Sequence, residues 1–171
     1  ARRKYIVADT PGHVEYTRNM VTGASTAAAA IVLVDVRAGL VEQTYRHCFI
    51  AGLLRIPTVA VAVNKMDLVG WDRAAFEVVA NDIARLTADA RPGLPAPRVV
   101  PVSALHGDNI AARSEHSPWY DGTSLLEILE NADPRPHRSL QARFQVQTVL
   151  RESTGERASA GRITSGVLRV G

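Results

Sequence analysis

The chain has 171 residues, 46% hydrophobic and only 5% aromatic, enough for one domain with a real core and part of a second, the core built from Val, Ile, Leu and Ala as suits a buried parallel sheet. The formal net charge of +3 is uneven: residues 1–133 carry 13 basic and 15 acidic side chains, which gives no broad nucleic-acid footprint, whereas residues 134–171 carry seven arginines against Glu152 and Glu156, placed on exposed strands or facing an anionic partner. The lone cysteine, Cys48, excludes an internal disulfide framework and fits a reducing cytosol, no apolar run is long enough to span a bilayer, and no signal peptide opens the chain.

Lys4–Ala8 reads as a first strand, and because the chain begins almost directly in it, a cut through a larger protein is expected. "VEYTRNMVTGAS" reads as a helix or helical turn after it. Ala29–Asp35, "AAIVLVD", is a continuous apolar run of the buried-strand type. Glu42–Leu54 has helical spacing and ends before Pro57. In that helix Cys48 is expected in the core, and His47 beside it points elsewhere, so the two do not form a metal pair. Thr58–Val63, "TVAVAV", is a third strand, Arg73–Ala90 a helix, and Arg98–Val102, "RVVPV", a fourth strand. A polar loop from His106 to Gly122 leads into a short helix, "SLLEILENA"; Trp119 and Tyr120 in the loop read as packing residues. Strands alternating with helices imply a parallel sheet covered on both faces. "DPRPHRS" then reads as a linker, placed at 134–140, between a first domain over 1–133 and the start of an all-β domain over 141–171. In that second part "ARFQVQTVL" alternates, and "GRITSGVLRVG" places turn glycines between short β runs.

In an open parallel sheet, ligands bind beyond the carboxyl ends of the strands. Three polar clusters are expected there: Asp9-Thr10-Pro11-Gly12-His13, Asn64-Lys65-Met66-Asp67 and Ser103-Ala104-Leu105. Alone, each is an ordinary loop: "DTPG" is a good tight turn, and Asp67 would serve as a helix N-cap. Together, in this order and each at a strand end, they point to a purine nucleotide. Guanine presents two adjacent donors, N1–H and its exocyclic amine, and one carboxylate, Asp67, can accept both. Adenine presents an acceptor at N1 and would leave that carboxylate unpaired, a mismatch that discriminates by roughly 10⁴-fold or more. Asn64 can bond the base and tie neighbouring loops, the Lys65 stem can lie over the purine plane, and the Ala104 amide can donate to guanine O6. Asp9 can hold Mg²⁺, usually through water, Gly12 leaves its N–H bare for a terminal phosphate, and His13 stands where an attacking water is oriented.

At these residues the chain resembles the translation-factor class of GTPases. "DTPGH", "NKMD" and "SAL" look like the third, fourth and fifth guanine-nucleotide motifs of that class. "EYTRNMVTGAS", "AAIVLVDVRAGLVEQTYRH" and "GDNIAARSEHSPWYDGTSLLEILE" look most like the GTPase subunits of bacterial sulfate adenylyltransferases. The resemblance implies an α/β fold: a doubly wound, mostly parallel sheet of the P-loop GTPase type, cut at its N-terminus and followed by the start of a β-barrel. It implies GTP and Mg²⁺ as ligands, with Asp9 and Gly12 at the metal and γ-phosphate, His13 positioning the hydrolytic water, and Asn64, Lys65, Asp67, Ser103, Ala104 and Leu105 at the guanine. It also implies a cytosolic subunit that pairs with a smaller catalytic subunit, couples GTP hydrolysis to adenylyl sulfate formation from ATP and sulfate, and is sometimes fused to an adenylyl-sulfate kinase. No membrane or nucleic-acid partner is expected. An elongation factor carrying aminoacyl-tRNA shares the same motifs and is the alternative; a non-catalytic interaction fragment is a third. No G-x-x-x-x-G-K-[ST] phosphate loop occurs in the 171 residues. The chain by itself is therefore expected to bind guanine nucleotides weakly or not at all, and not to turn over.

Overall fold

The computed structural model of the chain describes residues 4–9, 24, 27–89, 93–132, 142–151, 155 and 157–169. The chain divides into two compact units, Ala1–Pro134 and Arg135–Gly171.

The first unit is built on three parallel strands, β1 (Ala29–Asp35), β2 (Thr58–Asn64) and β3 (Arg98–Pro101), lying side by side in chain order. β2 is central, paired on both edges, and helices pack on both its faces. Val59, Ala60, Val61, Ala62 and Val63 are all buried, which explains why this strand is uniformly apolar instead of alternating. Helix α1 (Glu42–Leu53) connects β1 to β2, and helix α2 (Arg73–Asp89) connects β2 to β3. Successive right-handed crossovers in one direction put both helices on one face of the sheet. There Val32 and Val34 of β1 and Val59, Val61 and Val63 of β2 share a core with Cys48 and Ala51 of α1 and Phe76, Val79 and Ile83 of α2. The opposite face packs Ala60, Ala62, Val100 and Val102 against Leu125 and Ile128 of helix α3 (Leu125–Asn131). α3 does not reach β1, whose Leu33 on that face is 65% exposed.

Local signals set the helix ends. The Thr44 hydroxyl reaches back to the Val41 N–H at 3.4 Å to start α1. Arg55, in the left-handed region at φ 53°, closes it before Pro57. Asp72 starts α2: its carboxylate accepts from the Ala74 N–H at 3.0 Å. Ser124 caps α3, accepting from the Glu127 N–H at 3.3 Å while donating to the Ala111 carbonyl at 3.2 Å.

Two expectations are corrected. Lys4–Ala8 is not a strand: residues 4–9 are irregular and belong to none of the ladders, with Ile6 93% and Val7 85% exposed. An apolar run becomes a strand only when a neighbour takes up its backbone hydrogen bonds. In the second unit, β4 (Arg143–Arg151) and β5 (Arg157–Ser165) form an antiparallel pair. Gly161 is not a turn glycine; it lies mid-strand, where a Cβ would run into the Gln145 carbonyl, next to the register shift between Val146 and Thr148. Gly166, at φ 69°, does make a turn. The helix expected from "VEYTRNMVTGAS" and most of the linker lie outside the described residues.

Candidate functional site

β1 and β2 end level, Asp35 opposite Asn64, and Val63 is level with Pro101 of β3. The ladders continue past the strand ends through the Val36 N–H to the Asn64 carbonyl at 3.0 Å, the Val102 N–H to the Val63 carbonyl at 2.8 Å, and the Met66 N–H to the Val102 carbonyl at 3.2 Å. One rim of the sheet therefore carries Asp35, Asn64 and Ser103 within three adjacent strands.

Two of the three expected clusters meet there. The Asn64 side-chain oxygen accepts from the Lys65 N–H at 2.8 Å and from the Ala104 N–H at 2.9 Å, so one amide joins the turn after β2 to the turn after β3. The Ala104 amide, expected to face a base carbonyl, is thus engaged by Asn64. Lys65 sits in the left-handed region, φ 67°, unusual for a side chain with a Cβ. Behind it Met66 is completely buried, and a 3₁₀ turn over Met66–Val69 ends at Gly70, also left-handed. Asp67, half-buried in this turn, is not the helix cap that its position suggested; Asp72 holds that role. Among the described residues none donates a hydrogen bond to the Asp67 carboxylate. Ser103 is buried and turned into its own loop: its hydroxyl accepts from the His106 N–H at 3.4 Å, and its carbonyl from the Gly107 N–H at 2.8 Å. Leu105, beside it, is 81% exposed on the rim.

Of the third cluster only Asp9 is among the described residues. Asp9 lies in the exposed stretch 4–9, and Gly12 and His13 lie outside the described residues. Among the described residues no three His, Cys, Asp or Glu side chains come together to hold a metal ion.

Three residues that the motifs did not single out shape the rim. Asp35 accepts from Arg37 and from the Lys65 ammonium, the latter at 2.9 Å. The Arg37 guanidinium first and the Lys65 ammonium second hold its carboxyl well below the usual carboxylate range. Arg37 also feels the charge of Asp67. Asn109 is fully buried with φ 57°; its amide nitrogen donates to the Pro101 carbonyl at 2.8 Å and to the Ser117 hydroxyl at 2.9 Å, and its oxygen accepts from the Ser114 N–H at 2.7 Å. The signals were present in the sequence: a carboxylate ending a buried-strand run, and an Asn in the turn-prone "GDN". Trp119 and Tyr120 pack as expected. The Trp119 indole donates to the Trp71 carbonyl at 3.0 Å and stacks, tilted, on Phe76, with ring centroids 5.3 Å apart.

Comparison with known proteins bears on the fold and the family. A solved structure, "Crystal Structure Analysis of sup35 complexed with GDP", superposes with a TM-score of 0.58 at 24% identity, covering 85% of this chain and 39% of that one, a likeness of fold. The "Bifunctional enzyme CysN/CysC" of Mycobacterium tuberculosis is 49% identical over 99% of this chain and 28% of its own length. "Sulfate adenylyltransferase subunit 1" of Shewanella oneidensis is 50% identical, and that of Bacteroides thetaiotaomicron 46%, each over 99% of this chain and 35% of its own length. The chain thus spans about a third of the length of these relatives. The family model "Elongation factor Tu GTP binding domain" matches residues 1–135, and the chain belongs to that family.

Proposed function

We propose that this chain is the guanine-binding part of the GTPase subunit of a sulfate adenylyltransferase. The observation that carries the reading is the Asn64 bridge, which sets the Asp67 turn and the Ala104 turn side by side on one rim. Asp67 would accept guanine N1–H and the exocyclic amine. Lys65 and Leu105, exposed on the two bridged turns, would line the faces of the purine. Ala104 would reach guanine O6 by sharing its N–H with, or releasing it from, Asn64. Ser103, buried, would support the turn instead of touching the base. Asp9, Gly12 and His13 would serve Mg²⁺, the γ-phosphate and the hydrolytic water.

In a protein of the relatives' full length, GTP hydrolysis would be coupled to adenylyl sulfate formation on a small catalytic subunit, in the cytosol. The bifunctional relative supports an adenylyl-sulfate kinase on the same polypeptide in some members. Relatives at 46% and 50% identity carry the sulfate adenylyltransferase name, which favours this reading over an aminoacyl-tRNA carrier. No described helix is long and apolar enough to cross a membrane.

The test begins on the chain itself. Hydrogen bonds to the base survive without a phosphate loop, so GDP should bind in the millimolar range and shift the backbone amides of residues 64–67 and 103–105, while ADP should not. Asp67→Asn should abolish the GDP preference and admit xanthosine diphosphate, whose O2 can accept from the new amide. Equal shifts with GDP and ADP would remove the guanine site. At full length, GTP-dependent pyrophosphate release from ATP and sulfate is expected with the small subunit; stimulation of GTP hydrolysis by ribosomes instead would overturn the assignment.

A further inference from the structure

Lys65 is held at both ends. Its backbone N–H is taken by Asn64, and its ammonium does not point to solvent but crosses to the neighbouring strand, to Asp35 Oδ2 at 2.9 Å. Thirty residues separate the two in sequence, yet the register that sets Asp35 opposite Asn64 makes them neighbours. A free lysine stem samples many rotamers, and fixing it against a ligand costs side-chain entropy. Here the stem is already laid along the rim before a ligand arrives, with about half of its side chain still open.

The same carboxylate also controls Arg37. Oδ1 accepts from the Arg37 N–H at 3.0 Å and from Nε at 3.2 Å, and Oδ2 accepts from Nη2 at 2.9 Å, a two-pronged grip. Arg37 stands within electrostatic reach of Asp67, yet its hydrogen bonds go to Asp35. Asp67 is the other carboxylate whose charge Arg37 feels, so an arginine released at this place would be drawn to it. Its planar fork would then occupy the two lone-pair positions that guanine N1–H and N2–H require.

We propose that Asp35 is a positioning residue of the guanine site: it clamps the Lys65 ammonium so that the stem forms a fixed wall, and it holds Arg37 off Asp67 so that this carboxylate stays open to the base. The inference rests on the guanine-site reading above. It assigns a role to two residues, Asp35 and Arg37, that lie outside the three motifs.

The test is a GDP and ADP titration of the chain, followed by amide shifts and by the ε-methylene signals of Lys65. Asp35→Ala should weaken GDP binding about tenfold, while the amide spectrum of β2 stays native. Removing Arg37 as well, in the Asp35→Ala, Arg37→Ala variant, should recover part of the loss, because the competitor for Asp67 is gone. A purely structural role for Asp35 would give no such recovery. The ring-current shift of the Lys65 methylenes on adding GDP should be present in the wild type and reduced in Asp35→Ala and Asp35→Asn. If the wild type prefers GDP but Asp35→Ala and Asp35→Asn bind it as tightly, the positioning role fails and the guanine site stands. If the wild type does not distinguish GDP from ADP, the guanine site fails and this role with it.

Discussion

The two turns that meet on the rim are held by opposite means. The turn after β2 is short and anchored by an apolar plug, Met66, buried between the sheet and α2, with Asp35 pinning Lys65 from the side. The segment after β3 is long, and a polar plug, Asn109, anchors it: its three hydrogen bonds tie the loop to Pro101, Ser114 and Ser117. The difference follows from distance to the core. A turn of a few residues stays close enough to the sheet to bury a side chain in it. A long loop carries many backbone groups that the sheet cannot satisfy, and an internal amide does that work.

Breaking each plug sharpens this contrast. Met66→Ala should have the largest effect, lowering stability by about 2–5 kcal/mol in denaturant unfolding, because it leaves a cavity under the Lys65–Asp67 backbone. A loss well under that range would mean the turn is held by its ion pairs instead. Asn109→Ala should cost about 1–3 kcal/mol, since it strands the Pro101 carbonyl and the Ser114 N–H. Asn109→Gly separates the causes: glycine accepts the left-handed backbone but makes none of the three bonds, so most of the loss should remain. Full recovery in the glycine variant would assign the effect to backbone strain.

The smallest effect is a pH dependence, taken first in the long loop. The Asp108 carboxyl lies below the usual carboxylate range, chiefly because the Ser114 hydroxyl donates to it at 2.6 Å, with His116 beside it at 3.2 Å. A depressed carboxyl stabilises the fold above its unfolded value, near pH 4, and that contribution fades as the pH falls through the lower folded value. Below about pH 4 the wild type should therefore lose stability more steeply than Asp108→Asn, measured by thermal unfolding between pH 5 and about 2. Parallel curves would show that Asp108 contributes nothing there. The Asp35 carboxyl, on the other turn, is also held low, by Arg37 and Lys65, so Asp35→Asn should flatten the acid side of the curve independently.

Much of this was legible along the chain. Ala29–Asp35 and Thr58–Val63 were readable as strands from their continuous apolar runs; β2 is covered on both faces, whereas β1 leaves Leu33 65% exposed on one of them. α1, α2 and α3 followed from the spacing of their apolar faces, and Asn64, Lys65, Asp67 and Ser103–Leu105 from their place after strands. Lys4–Ala8 misled for a physical reason: its composition is that of a strand, but strand formation is a property of pairs. Gly161 misled similarly. A glycine reads as a turn until the opposing Gln145 carbonyl is seen to occupy the place of a side chain.

Residue order along the polymer was sufficient for the elements and for which loops carry polar groups, because periodicity and turn chemistry act over a few neighbours. The Asn64 bridge to Ala104 spans 40 positions and the Asp35 clamp on Lys65 spans 30. Those contacts, the open carboxylate of Asp67 and the inward turn of Ser103 arise only when three strands align in register, since hydrogen bonds form across distances of about 3 Å that no local pattern encodes.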